Sequence, residues 1–168
     1  MFDKEALETI REALLDTKQT VAVAESVTAG FLQAAFSTVP DAAKFFQGGI
    51  TAYNLGQKYR HLHVNPIHAQ GCNCVSDEVA ATMALEVCEL FKSHWGLGIT
   101  GYASKVPEGK NDLHAYYAIA QNGRVVKQAI VHAPTEEGEE AQLYFVNEVL
   151  KALQKQLQKT ATKPASLS

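Results

Sequence analysis

Ala24-Glu25-Ser26-Val27-Thr28-Ala29-Gly30 (AESVTAG, 24–30) follows a short apolar run, Thr20 to Ala24 (TVAVA), and precedes Gly30 to Phe36 (GFLQAAF), whose spacing is helical. The stretch reads as a buried strand turning into a helix, with Ser26 at the turn. Glu25 and Thr28 flank it. Side chains of these types cap helices. A serine there is also a candidate nucleophile, because unpaired N–H groups at a helix start can hold an oxyanion or a bound anion.

Working outward, Leu7, Ile10 and Leu14 predict a first helix, with Ala6 and Leu15 widening its stripe. Gly48 to Tyr53 (GGITAY) predicts a second strand, and Asn54 to Leu62 (NLGQKYRHL) a short helix. Ser76 is a good N-cap with Asp77 and Glu78 in the first turn, and Val79, Met83, Val87 and Leu90 form the face of the helix it opens. Trp95 to Thr100 (WGLGIT) is a third strand, followed by a polar loop over Gly101 to Asp112. Leu113 to Ala120 and Arg124 to Ala133 are two more strands, and Asn122-Gly123 between them predicts a hairpin. Leu143, Val146, Leu150, Leu153 and Leu157 predict a final helix. The expectation is an α/β domain, with helices on both faces of a mixed sheet. One domain over 1–158 is expected, with a disordered polar tail over 159–168.

Composition narrows the function. A formal charge of −3 gives no basic footprint, so nucleic acid is not an expected partner. No apolar run approaches the roughly 20 residues that span a bilayer, so no membrane is expected either. The amphipathic, charged start, MFDKEALETIREALLDT, argues against a secretory signal. Cys72, Cys74 and Cys88, an odd number, read as reduced thiols in a cytoplasmic protein. Cys72-Asn73-Cys74 suggests a metal pair, but no second Cys or His pair sits at zinc-site spacing, so no metal is expected. His61 and His63 read as surface residues.

In open α/β sheets ligands gather at the carboxyl ends of the strands. Three such ends offer Glu25, Ser26 and Thr28; Tyr53 with Asn54 and Lys58; and Thr100 with Gly101. A serine hydroxyl needs a base. Lys58 can serve, directly or through Tyr53, only if burial or neighbouring positive charge lowers its pKa. Each residue also has an ordinary reading, as a cap, a strand-end aromatic or a solvated lysine.

Four motifs in order, AESVTAG, FFQGGITAYNLGQK, VSDEVAATMA and GITG, resemble the CinA C-terminal domain family, whose characterised members are nicotinamide mononucleotide deamidases. The resemblance runs from about Leu7 to Leu153. It implies an α/β/α sandwich that hydrolyses the nicotinamide carboxamide to nicotinate mononucleotide and ammonia. It implies Ser26 as nucleophile, with Tyr53 and Lys58 activating it and no metal or organic cofactor. Glu25, Thr28, Gly30, Gly48, Gly49, Asn54, Thr100 and Gly101 are the matching substrate-binding positions, and a homo-oligomer is implied.

The chain departs from the family pattern in four places. Ala29 replaces a glycine. The stretch after Gly101, Tyr102-Ala103-Ser104-Lys105-Val106-Pro107, lacks a Gly-Pro. Leu113-His114-Ala115 stands where Pro-x-Gly is usual. Glu136-Glu137-Gly138-Glu139-Glu140 opens the last helix where the family carries arginine. An arginine fork suits a phosphate and carboxylates repel one, so Lys105 or Lys110 would have to supply the charge. Two readings follow: an amidase acting on the mononucleotide or a related small carboxamide, or a divergent, inactive member that binds a small ligand or a protein partner.

Overall fold

The structure, a computed structural model, describes residues 1–161. Its elements are α1 (Lys4–Thr17), β1 (Val21–Glu25), α2 (Phe31–Ser37), β2 (Phe46–Thr51), α3 (Leu55–Leu62), α4 (Pro66–Gly71), α5 (Asp77–Phe91), β3 (Trp95–Tyr102), β4 (His114–Gln121), β5 (Arg124–His132) and α6 (Glu139–Ala161). The five strands form one sheet in the order β2-β1-β3-β4-β5. β1 pairs in parallel with both β2 and β3, while β4 pairs antiparallel with both β3 and β5.

Side-chain alternation along β1 divides the core. Val21 and Val23 join the cluster made with α1, α2 and α6, whereas Ala22 and Ala24 join the one beneath α3, α4 and α5. The result is an α/β/α sandwich. On the second face the packing is unusually close. A Cβ added to Gly96 would lie 2.2 Å from the Ala84 carbonyl oxygen, and one on Gly98 2.3 Å from that of Ala80. Glycine at these two positions lets α5 rest on the strand backbone.

The β1–α2–β2 crossover lies on one face of the sheet and α3–α5 on the other. The chain direction therefore switches between β1 and β3, and their carboxyl ends open a crevice at that point. Ser26 follows β1 there, and Thr100 and Gly101 lie near the end of β3.

The structure amends several expected elements. α4 was not anticipated, although Asn65 caps it through the Ile67 and His68 N–H groups and Pro66 occupies its first turn. Leu90 of α5 is exposed, and Cys88 and Ala84 are buried in its place. Phe145 and Val149 complete the buried face of α6, and Leu143 is only partly covered. Residues 159–161, expected in a disordered tail, belong to α6; the rest of that expectation lies outside the described residues.

Candidate active site

Glu25 has the same parity as Val21 and Val23, so its side chain turns toward α2 and is fully buried. Its carboxylate accepts from Thr28 Oγ1 (2.5 Å), the N–H groups of Gly30 (3.2 Å), Leu32 (3.0 Å) and Gln33 (2.9 Å), and Gln33 Nε2 (3.2 Å). The Phe31 N–H donates to the Thr28 carbonyl (2.9 Å), so the first donors of α2 are already taken, most of them by one side chain. This corrects two expectations. The helix start is not an open oxyanion site, and Glu25, Thr28 and Gly30 are hydrogen-bonded to one another and do not line the crevice. Neither do Gly48 and Gly49 line the crevice. Gly48 has φ +119°, and a Cβ on Gly49 would lie 2.5 Å from Val23 Cγ2. Gly48 is favoured by its backbone conformation and Gly49 is required by close packing on β1.

Ser26 escapes this cap. Its N–H donates to the Ile99 carbonyl (3.1 Å), which ties the turn to β3. Its hydroxyl meets Lys58, whose Nζ donates to Oγ at 2.8 Å. Lys58 reaches it because α3 is amphipathic in an odd way. Asn54 caps α3 by accepting from the Gln57 N–H (3.0 Å), and the buried residues of α3 are Lys58 and Leu62. A lysine therefore occupies an inward position of a helix and is 1% exposed. Among the described residues no carboxylate pairs with it. Burial pushes its pKa below the ordinary lysine range, with nearby Cys74 acting weakly the other way. Burial in turn pushes the Cys74 thiol up.

These groups form one wall of a crevice of about 450 Å³, a size that suits a small organic ligand. Of the expected residues it brings together Ser26, Tyr53, Asn54, Lys58, Thr100 and Gly101. Tyr53 stands at the rim, 69% exposed, and makes no hydrogen bond to Ser26 or Lys58 among the described residues. Thr100 spends its hydroxyl on the Cys74 carbonyl (2.7 Å), fastening the loop after α4 to β3. Gly101 is required because a Cβ there would sit 2.2 Å from the His114 carbonyl oxygen.

The structure adds lining residues that the sequence reading missed. Asn73 Nδ2 donates to the Tyr102 hydroxyl (3.0 Å), and Gln142 Nε2 donates to the Val27 carbonyl (2.8 Å). Ser104 and Cys74 complete the polar lining. Asn73 and Cys74 both adopt left-handed backbone, at φ 51° and 61°, and that turn delivers them to the crevice. In the β1–α2 turn, the Val27 and Thr28 N–H groups have no backbone acceptor among the described residues. Ala29 has φ 48° and is exposed, so its methyl strains the backbone and does not crowd the crevice.

Neither expected substitute cation reaches this crevice. Lys105 contributes its backbone N–H to Glu137 Oε2 (2.9 Å), and Lys110 lines a separate cavity behind Tyr102. His61 and His63 are surface residues, as expected, bonded to Gln57 and Glu86. Cys72, Cys74 and Cys88 are free thiols. Among the described residues no group of three or more His, Cys, Asp or Glu is placed to hold a metal, and no helix is long and apolar enough to cross a membrane.

Comparison with known proteins places this geometry in context. The family model for the CinA C-terminal domain matches residues 3–157. A CinA-like protein of Picosynechococcus is 46% identical over 91 residues, covering 54% of this chain and 22% of that protein. A CinA-like protein of Synechocystis is 39% identical over 102 residues, covering 60% and 24%. The matches thus span about a quarter or less of those relatives. Among solved structures, a competence-damaged protein (CinA) superfamily protein from Klebsiella pneumoniae superposes with TM-score 0.86 at 22% identity, covering 92% of this chain and 97% of that one. At that identity the likeness concerns the fold.

Proposed function

The chain belongs to the CinA C-terminal domain family, and from that premise we propose that it is a serine amidohydrolase of small carboxamides, of the nicotinamide-nucleotide amidase type. The observation that carries the reading is the 2.8 Å contact between Lys58 Nζ and Ser26 Oγ, both buried at the base of a ligand-sized crevice. A charged ammonium has no lone pair. Burial favours the neutral amine, which can accept the serine proton.

In the proposed reaction Ser26 Oγ attacks the carboxamide carbon as its proton moves to Lys58 Nζ. The amide oxygen takes up the negative charge, beside the Val27 N–H, which has no partner among the described residues. Collapse breaks the C–N bond, the nitrogen takes the proton from Lys58, and ammonia leaves an acyl ester on Ser26. Water then adds to the ester carbon while Lys58 accepts its proton. Breakdown releases the acid and returns the proton to Ser26. Tyr53, at the rim, is assigned to ligand contact rather than to this proton path.

The test is ammonia release by the purified protein from nicotinamide mononucleotide, the corresponding nucleoside and simple carboxamides. The expected result is turnover of at least one substrate that is lost in Ser26→Ala. No turnover above that control would reject the amidase. The exposure of Tyr53 favours a second reading, an inactive member that uses the same crevice to bind a small ligand. That reading predicts ligand binding without ammonia release.

A further inference from the structure

The charges around the crevice bear on which carboxamide it can take. Among its described lining residues Lys58 is the sole lysine, arginine or histidine, and its Nζ is committed to Ser26. The remaining polar lining is uncharged. Asn73 and Gln142 each spend an amide N–H on the protein, which leaves their carbonyl oxygens as acceptors for ligand hydroxyls. One carboxylate is held at the mouth: Glu137 accepts from the Lys105 N–H (2.9 Å) next to the lining residue Gly138, while the Lys105 side chain is not part of the lining and Glu139 and Glu140 line a separate cavity. The neighbouring cavity behind Tyr102 is a separate one, where Lys110, His114 and His132 stand with Glu108 and Asp112, and Asp112 lies within 3.3 Å of both histidines.

We infer that this crevice selects a carboxamide without an anionic group, of the hydroxyl-bearing nucleoside class, and discriminates against its phosphorylated counterpart. The inference rests on the amidase reading and narrows its substrate. Two physical effects act in the same direction. A phosphate would lose water without gaining a cationic partner among the lining residues, beside the Glu137 carboxylate. A dianion near Lys58 would also favour its ammonium form, removing the lone pair on which proton transfer from Ser26 depends. An uncharged ligand, or one with a cationic pyridinium ring, leaves that amine neutral.

Nicotinamide riboside and nicotinamide mononucleotide form a matched pair, differing by the phosphate alone. Both are assayed for ammonia release with the wild-type chain, and for binding by calorimetry with Ser26→Ala. The expected result is a kcat/KM at least about tenfold higher, and a Kd at least about tenfold lower, for the riboside. Glu137→Gln, which keeps an oxygen to accept the Lys105 N–H, is expected to narrow the gap, as is high salt. Equal or better use of the mononucleotide would overturn the inference. If neither compound releases ammonia, the amidase reading falls for this pair, and the binding comparison still decides the inference. Equal binding of the two, or binding of neither, overturns it.

Discussion

Two ionisable side chains lie buried on either side of Ser26, and the protein treats them in opposite ways. The Glu25 carboxylate is surrounded by five donated hydrogen bonds. Among the described residues the Lys58 amine has one hydroxyl partner and no acid. A buried charge with full hydrogen bonding stabilises the loop that donates to it. A buried amine with a single neutral partner is costly to charge, and that cost is what makes it a base. The lesson is that burial alone does not mark a functional group; burial without compensation, facing a cavity, does.

The sharpest way to break this contrast is at its satisfied side. Glu25→Ala strands the Gly30, Leu32 and Gln33 amides at once and should destabilise the chain by about 3 kcal/mol or more. Urea denaturation would measure this, with Glu25→Gln costing less. A loss below about 1 kcal/mol would show that the cap is not the main constraint on the turn.

On the other side, Lys58→Met should lower any amidase activity by about 10²–10⁴-fold, the range for removing a general base. The same variant should be more stable than the parent by about 1 kcal/mol at neutral pH. The sign follows from linkage. The folded-state pKa of Lys58 lies below its unfolded value, so the cost of holding the buried amine is fully present below the folded pKa. That cost disappears as pH rises toward the unfolded value. The gain from Lys58→Met should therefore fade above about pH 10. A gain independent of pH would mean that packing, not charge, explains it.

Smaller effects sharpen the boundary of the site. Ala29 holds a left-handed conformation that glycine adopts freely, so Ala29→Gly should add about 0.5–1 kcal/mol in thermal or urea unfolding. Tyr53→Phe should change kcat far less than the roughly 10²-fold expected for a proton-transfer residue, because its ring stands exposed at the rim. A Tyr53→Phe loss as large as that of Lys58→Met would return the phenol to the proton path.

The opening stretch carried a real ambiguity between cap and nucleophile, and the structure divides it by residue. Glu25 and Thr28 form the cap, and Ser26 faces the crevice. Strand parity already contained part of that answer, since Glu25 continues the alternation of Val21 and Val23. The burial of Lys58 was equally legible, because it lies four residues before Leu62 on an apolar helical stripe. Other features left no such trace. α4 has six residues, too few for a periodic signal, and only Asn65-Pro66 marks it. Gln142 meets Val27 across 115 positions of chain. Asn73, in the turn after α4, and Tyr102, at the end of β3, are joined by one hydrogen bond. Contacts of this kind depend on tertiary packing, which local spacing does not encode.

The most direct test of the account is the titration of Lys58 itself, followed by carbon NMR of labelled lysine Cε in the intact chain, with Lys58→Met assigning the resonance. The account predicts a resonance that loses its proton well below the ordinary lysine value of about 10.4. It also predicts that any amidase activity rises with pH through the same midpoint. A resonance titrating at or above that ordinary value would contradict it, because the residue beside Ser26 would then be an ammonium throughout the neutral range.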